Sequence, residues 1–60
     1  MENQKIVMLE KFKEKFEEMR EALSKLSEGE DNEIAVEGFT TIDDMLEGIG
    51  EIIDEIIENG

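Results

Sequence analysis

The chain has 60 residues, with 18 acids against six bases, a formal charge of −12 at pH 7 and no Cys, His or Pro. Disulfides, thiolate chemistry and ordinary zinc sites are thereby excluded, and so are nucleic acid and anionic membrane surfaces as direct partners, since both would be repelled. A domain of this size buries only about 60% of its unfolded surface, so a second copy of the chain is the expected source of extra stability, and basic proteins are the partners such a field attracts.

Residues 3–28 read as one long amphipathic helix. Leu9, Phe12, Phe16, Met19, Leu23 and Leu26 recur at alternating spacings of three and four, the a/d pattern of a heptad seam. Asn3 is the expected N-cap and Gly29 the expected stop. Acids and bases mix over the rest of the segment, and Lys13, Lys15 and Arg20 flank the seam. The only apolar run here, "IVML", is four residues long. Neither a secretory leader nor a membrane span is expected from it, and the cytoplasm is the expected location.

Residues 29–33, "GEDNE", read as a turn. Residues 33–37, "EIAVE", alternate polar and apolar, with Ile34 and Val36 on one side and Gly38 beyond. The pattern predicts a short strand, paired with its own copy across a twofold axis; the alternative is an extended linker. Thr40 and Thr41, followed by Asp43 and Asp44, then resemble a capping box opening a second helix over about 41–58. The expected fold is mainly α: a single domain of two amphipathic helices, joined by a turn and one short strand, completed by homodimerisation.

The second helix is the informative one. Ile42, Met45, Leu46, Ile49, Ile52, Ile53, Ile56 and Ile57 fall within an arc of about 140° on a helical wheel, and Asp43, Asp44, Glu47, Glu51, Asp54, Glu55 and Glu58 within about 120° opposite. No base follows residue 28: residues 29–60 hold eleven acids, whereas residues 1–28 hold seven acids and all six bases. Like charges four residues apart each destabilise a helix by a few tenths of a kcal/mol, and Gly48 and Gly50 by about 1 kcal/mol each. Packing of the apolar stripe must therefore hold this helix, with the glycines expected to admit a close neighbouring backbone. Lys13, Lys15 and Arg20 can answer a few of the acids across an antiparallel hairpin. The others face water or a partner.

Seven carboxylates over a 17-residue helix give one charge per roughly 3.6 Å, close to the ~3.4 Å per phosphate along one strand of B-DNA. A twofold dimer would present two such rows. Other chemistry finds little support. The window 43–54, "DDMLEGIGEIID", offers Asp43, Glu47 and Gly48 at calcium-loop positions, but Met45 and Asp54 break the pattern. No nucleophile–base pair can be assembled without His, Cys or Tyr, so neither an enzyme nor a cofactor is expected. Gln4 with "KIVML" matches clamp-docking peptides only loosely.

The acidic half, "GEDNEIAVEGFTTIDDMLEGIGEIIDEIIENG", resembles the small acidic DNA mimics that phages make against host nucleic-acid-binding proteins. Within that type it is similar in size and charge to phage inhibitors of the histone-like protein HU. The resemblance covers about half the chain and rests on charge layout. It implies a homodimer in the host cytoplasm that occupies the DNA-binding surface of a basic protein. Asp43, Asp44, Glu47, Glu51, Asp54, Glu55 and Glu58 would stand in for phosphates, with Glu30, Asp31, Glu33 and Glu37 extending the patch. An antitoxin-like module gripping one cognate protein through its apolar stripe, and a purely structural dimerisation module, are the competing readings.

Overall fold

Two helices account for nearly all of the computed structural model, which describes residues 2–60. The first, α1, spans Asn3–Ser27 and the second, α2, spans Glu33–Asn59. They fold back on one another as an antiparallel hairpin, with Lys13 in the first half of α1 meeting Asp54 in the second half of α2, and Arg20 further along α1 meeting Asp43 in the first half of α2. The turn is tight. The Glu28 N–H donates to the Lys25 carbonyl and the Glu30 N–H to the Ser27 carbonyl, and Gly29 takes φ +73°, a left-handed conformation that costs glycine little. Gly29 thus ends α1 as its sequence position predicts. At the other end Glu2, not Asn3, precedes the helix, and it provides no side-chain cap.

The largest correction concerns residues 33–37. They are the opening turns of α2, and the described residues contain no strand. Asn32 is the reason: its side-chain oxygen accepts from the Ile34 and Ala35 N–H groups, while its carbonyl accepts from Val36 N–H. Two otherwise unpaired helix N-terminal donors are thereby satisfied. The helix therefore begins eight residues before Thr41, whose hydroxyl donates to the Glu37 carbonyl inside the helix instead of capping it. Gly38 is carried as an interior helical residue, and Ile34 is left 83% exposed.

The line of contact between the helices also differs from the heptad seam expected on α1. Half-buried positions on α1 are Ile6, Leu9, Lys13, Phe16, Arg20, Leu23 and Ser27, again three and four apart. Facing them on α2 are Val36, Phe39, Asp43, Leu46, Gly50, Ile53 and Ile57. Leu9, Phe16 and Leu23 belong to both patterns. Phe12, Met19 and Leu26 do not: they are 54%, 52% and 59% exposed. The helix is rotated so that Lys13 and Arg20 reach the carboxylates of α2, which swings these three side chains off the contact line. Phe12 stays tied to Phe16 edge-on, with ring centroids 4.9 Å apart.

Among the described residues only Leu46 and Ile53, 8% and 4% exposed, are buried outright. The molecule measures 46 × 15 × 10 Å and has a radius of gyration of 14.2 Å, against about 10 Å for a compact domain of this length. The expected close approach at the glycines is not present among the described residues: a Cβ at Gly48 or Gly50 would meet no atom within 4 Å beyond its chain neighbours and its own helix backbone.

Two predictions follow from this geometry. Gly48→Ala and Gly50→Ala should each stabilise the helix by about 1 kcal/mol, read as a higher midpoint in thermal unfolding by circular dichroism. Ile53→Ala should cost about 2–5 kcal/mol, a large part of the stability of so small a domain, and leave much of the chain unfolded at 25 °C by the same signal.

Candidate protein-binding face

The two helices each present an acid edge to the same side of the hairpin. On α2 it is formed by Asp44, Glu47, Glu51, Glu55 and Glu58, all exposed. On α1 it is formed by Glu10, Glu14, Glu17 and Glu21, at spacings of four, three and four that keep them on one helical face. An open hollow lined by Glu10, Glu14, Glu17 and Asp54, with Lys13 and Ile57, joins the two edges. A second hollow, lined by Glu17, Glu47, Glu51 and Asp54 among others, continues it along the seam. The outcome is a shallow acidic trough between two rows of carboxylates. With helix axes about 8–10 Å apart, its width is on the scale of a DNA groove, about 12 Å for the major groove.

Two bases lie on the floor of the trough. Lys13 Nζ donates to Asp54 Oδ1 at 2.7 Å. Arg20 Nε and Nη2 donate to the two oxygens of Asp43 at 2.9 and 3.2 Å, a fork-to-fork contact that fixes orientation as well as distance. The second nitrogen also lies 3.8 Å from Glu47. These side chains remain about one-third to one-half exposed, where solvent screens ion pairs strongly. Their main consequence is register, since they fix which turn of α1 faces which turn of α2.

The acids predicted from the sequence therefore separate by role. Asp43 and Asp54 are half-buried and, with Glu47, answer bases within the chain. Asp44, Glu51, Glu55 and Glu58 form no ion pair among the described residues and stand open to solvent. Glu33 and Glu37 are exposed on the first turns of α2. Glu30 and Asp31 lie in the connecting turn, where Glu30 Oε1 accepts from the Asn32 N–H. Lys15 reaches no acid of α2 and lies 3.9 Å from Glu18 of its own helix. The residues missing from the sequence reading are Glu10, Glu14, Glu17 and Glu21; their regular spacing was the signal, hidden by the lysines interleaved with them. The calcium-loop window at 43–54 is continuous helix, and no three acids among the described residues converge as a metal site.

The opposite side of the hairpin is apolar. Met8, Leu9, Phe12 and Ile56 line one open hollow there, together with Lys5. Met19, Ala22, Leu23, Leu26, Ile42 and Leu46 line another further along. Met45, Ile49 and Ile52 are also exposed. No helix among the described residues is long and apolar enough to cross a membrane. Comparison with protein-family models, with curated proteins and with solved structures yields no match to this chain.

The Arg20 contact makes a prediction about pH. Hydrogen bonds from the guanidinium hold the Asp43 carboxyl below the ordinary aspartate range, against a smaller opposing effect of desolvation. A depressed carboxyl contributes its stability at neutral pH and loses it as pH falls through the depressed value. A carboxyl-detected NMR titration should therefore find Asp43 ionised below the usual range, and Arg20→Gln should return it towards that range. An ordinary Asp43 titration in the unaltered chain would show that the contact is absent in solution.

Proposed function

We propose that the chain is an acidic DNA-mimic inhibitor, which docks its carboxylate trough on the DNA-binding surface of a basic protein and blocks access to DNA. The histone-like protein HU is the preferred target, on the charge resemblance given above. The observation that supports this reading is the arrangement of the acids as two rows on one side of the hairpin. Charges that served only for solubility would not need to share a side. Lys13 and Arg20 neutralise part of the floor, so the open charge comes from the outer residues, Glu14, Glu17, Glu51 and Glu55 among them. The active species in this reading is a homodimer, the second copy completing a fold that one chain leaves open.

The exposed apolar face supports a second reading, in which the chain is an antitoxin-like or adaptor module gripping one cognate protein through that stripe. The two readings differ in their response to salt. Contacts between exposed opposite charges weaken steeply as ions screen them, whereas apolar contacts do not.

The test is direct binding to purified HU by calorimetry. Mimicry predicts an affinity that falls about tenfold or more between roughly 50 and 200 mM salt, competition by duplex DNA, and a loss of about tenfold for Glu51→Gln/Glu55→Gln with helix content unchanged. Binding that is insensitive to salt, or that survives both substitutions, would favour the apolar stripe. Absence of binding at low salt would remove HU as the target.

A further inference from the structure

We infer that each helix carries two overlapping contact lines, and that the Lys13–Asp54 and Arg20–Asp43 contacts hold the hairpin on the line that opens the acid trough. The inference concerns the hairpin alone and does not depend on what the trough binds.

Both lines follow heptad spacing. On α1, Leu9, Phe16 and Leu23 belong to each. The line in use adds Lys13, Arg20 and Ser27, all half-buried, and the other adds Phe12, Met19 and Leu26, each more than half exposed. On α2, Phe39, Leu46 and Ile53 are shared in the same way. The line in use there adds Asp43, Gly50 and Ile57, and the other adds Ile42, Ile49 and Ile56, which stay exposed. Half of the positions on each helix shift by one residue, about 100°, and half stay, so the two lines differ by a mean rotation of about 50°. The unused sets already lie on one side of the hairpin. Phe12 and Ile56 line one hollow, and Met19, Leu26 and Ile42 line the other. Turning the two helices in opposite senses, like meshed gears, brings these sets together.

The unused line is the more apolar one, exchanging Lys13, Arg20 and Asp43 for Phe12, Met19 and Ile42 where burial counts most. Register does not exclude it, since every shared residue keeps its level along the hairpin. Charge separates the two. Lys13 donates to Asp54 at 2.7 Å, and Arg20 forks onto Asp43 at 2.9 and 3.2 Å. These groups are one-third to one-half exposed, so screening keeps their advantage small and easily removed. Two packings of one sequence separated by a small difference form a two-state element.

The choice of line decides the shape of both sides. Rotation to the apolar line turns Glu10, Glu14, Glu17 and Glu21 towards the back of α1 and the acid row of α2 towards the back of α2. The two rows then no longer face one another across the seam. The same rotation fills the apolar hollows. Formation of the trough and exposure of the apolar face are therefore a single event, and a contact that covers that face with Phe12, Met19 and Leu26 turned outward keeps the trough formed.

Ser24 and Thr40 report the rotation. They line one hollow beside Asp43 and have no part in the contacts above. Turning both helices by about 50° takes their Cβ atoms from about 7 to about 13 Å apart, for axes about 9 Å apart. The chain has no Cys, so Ser24→Cys/Thr40→Cys in the full chain supplies the only thiols, and bridging by dibromobimane within one chain is read from its mass. Adding Lys13→Gln/Arg20→Gln should slow that bridging about tenfold as the population moves to the apolar line, with helix content by circular dichroism unchanged. In the same background Phe12→Ala should lower the thermal midpoint by more than it does with Lys13 and Arg20 present. Equal bridging rates, or an equal effect of Phe12→Ala, overturn the inference. Loss of helix content on adding the glutamines also overturns it, because no second packing is then adopted, as does slow bridging with Lys13 and Arg20 in place. No partner is added, so none of these results bears on whether the trough binds HU.

Discussion

Two helices lying side by side touch along one line, and everything else in this molecule is arranged around that limit. Each helix of the hairpin carries more apolar width than one neighbour can cover. The contact line takes Leu9, Phe16 and Leu23 from α1 and Leu46, Ile53 and Ile57 from α2, and buries only Leu46 and Ile53 fully. Burial of apolar surface is the dominant favourable term in folding, at about 25 cal/mol per Å². Phe12, Met19 and Ile52, each just over half exposed, forgo about half of it.

The contact line contains charged residues where a purely apolar seam was available. Rotating α1 to bring Phe12, Met19 and Leu26 inward would have given the seam that its heptad pattern describes. Instead Lys13 and Arg20 occupy those turns and hold Asp54 and Asp43. Polar residues at seam positions are the best-attested means of fixing register and partner choice. Here they also divide the surface, since the acid rows fall on one side of the contact line and the unused apolar stripes on the other.

The amphipathic character of both helices, the stop at Gly29 and the segregation of acids on α2 were legible because each depends on local spacing or local backbone conformation. The start of α2 was not. Ile34 and Val36 alternate as in a strand, but Val36 also begins the series Val36, Phe39, Asp43, Leu46 and Gly50 at helical spacing. Asn32, read as part of a turn, tips the balance by capping two backbone donors. The seam of α1 was misjudged for a different reason. Hydrophobicity alone ranks Phe12 above Lys13, and only the acids on α2 make Lys13 the inward residue. For the same reason the acid row at Glu10, Glu14 and Glu17 shows itself only once α1 is placed beside α2, which sets it level with the acids of the second helix.

The central claim is that the two sides of the hairpin serve different contacts, and NMR titration of the labelled chain with HU tests it most directly. The account predicts that perturbations on adding HU fall on the amides and carboxyls of Glu14, Glu17, Glu51 and Glu55, while the methyl groups of Met19, Met45, Ile49 and Ile52 stay as they are in the free protein. Perturbation of those methyl groups with the carboxylates unaffected would contradict it, placing the partner on the apolar side and leaving the acid rows without the role assigned to them.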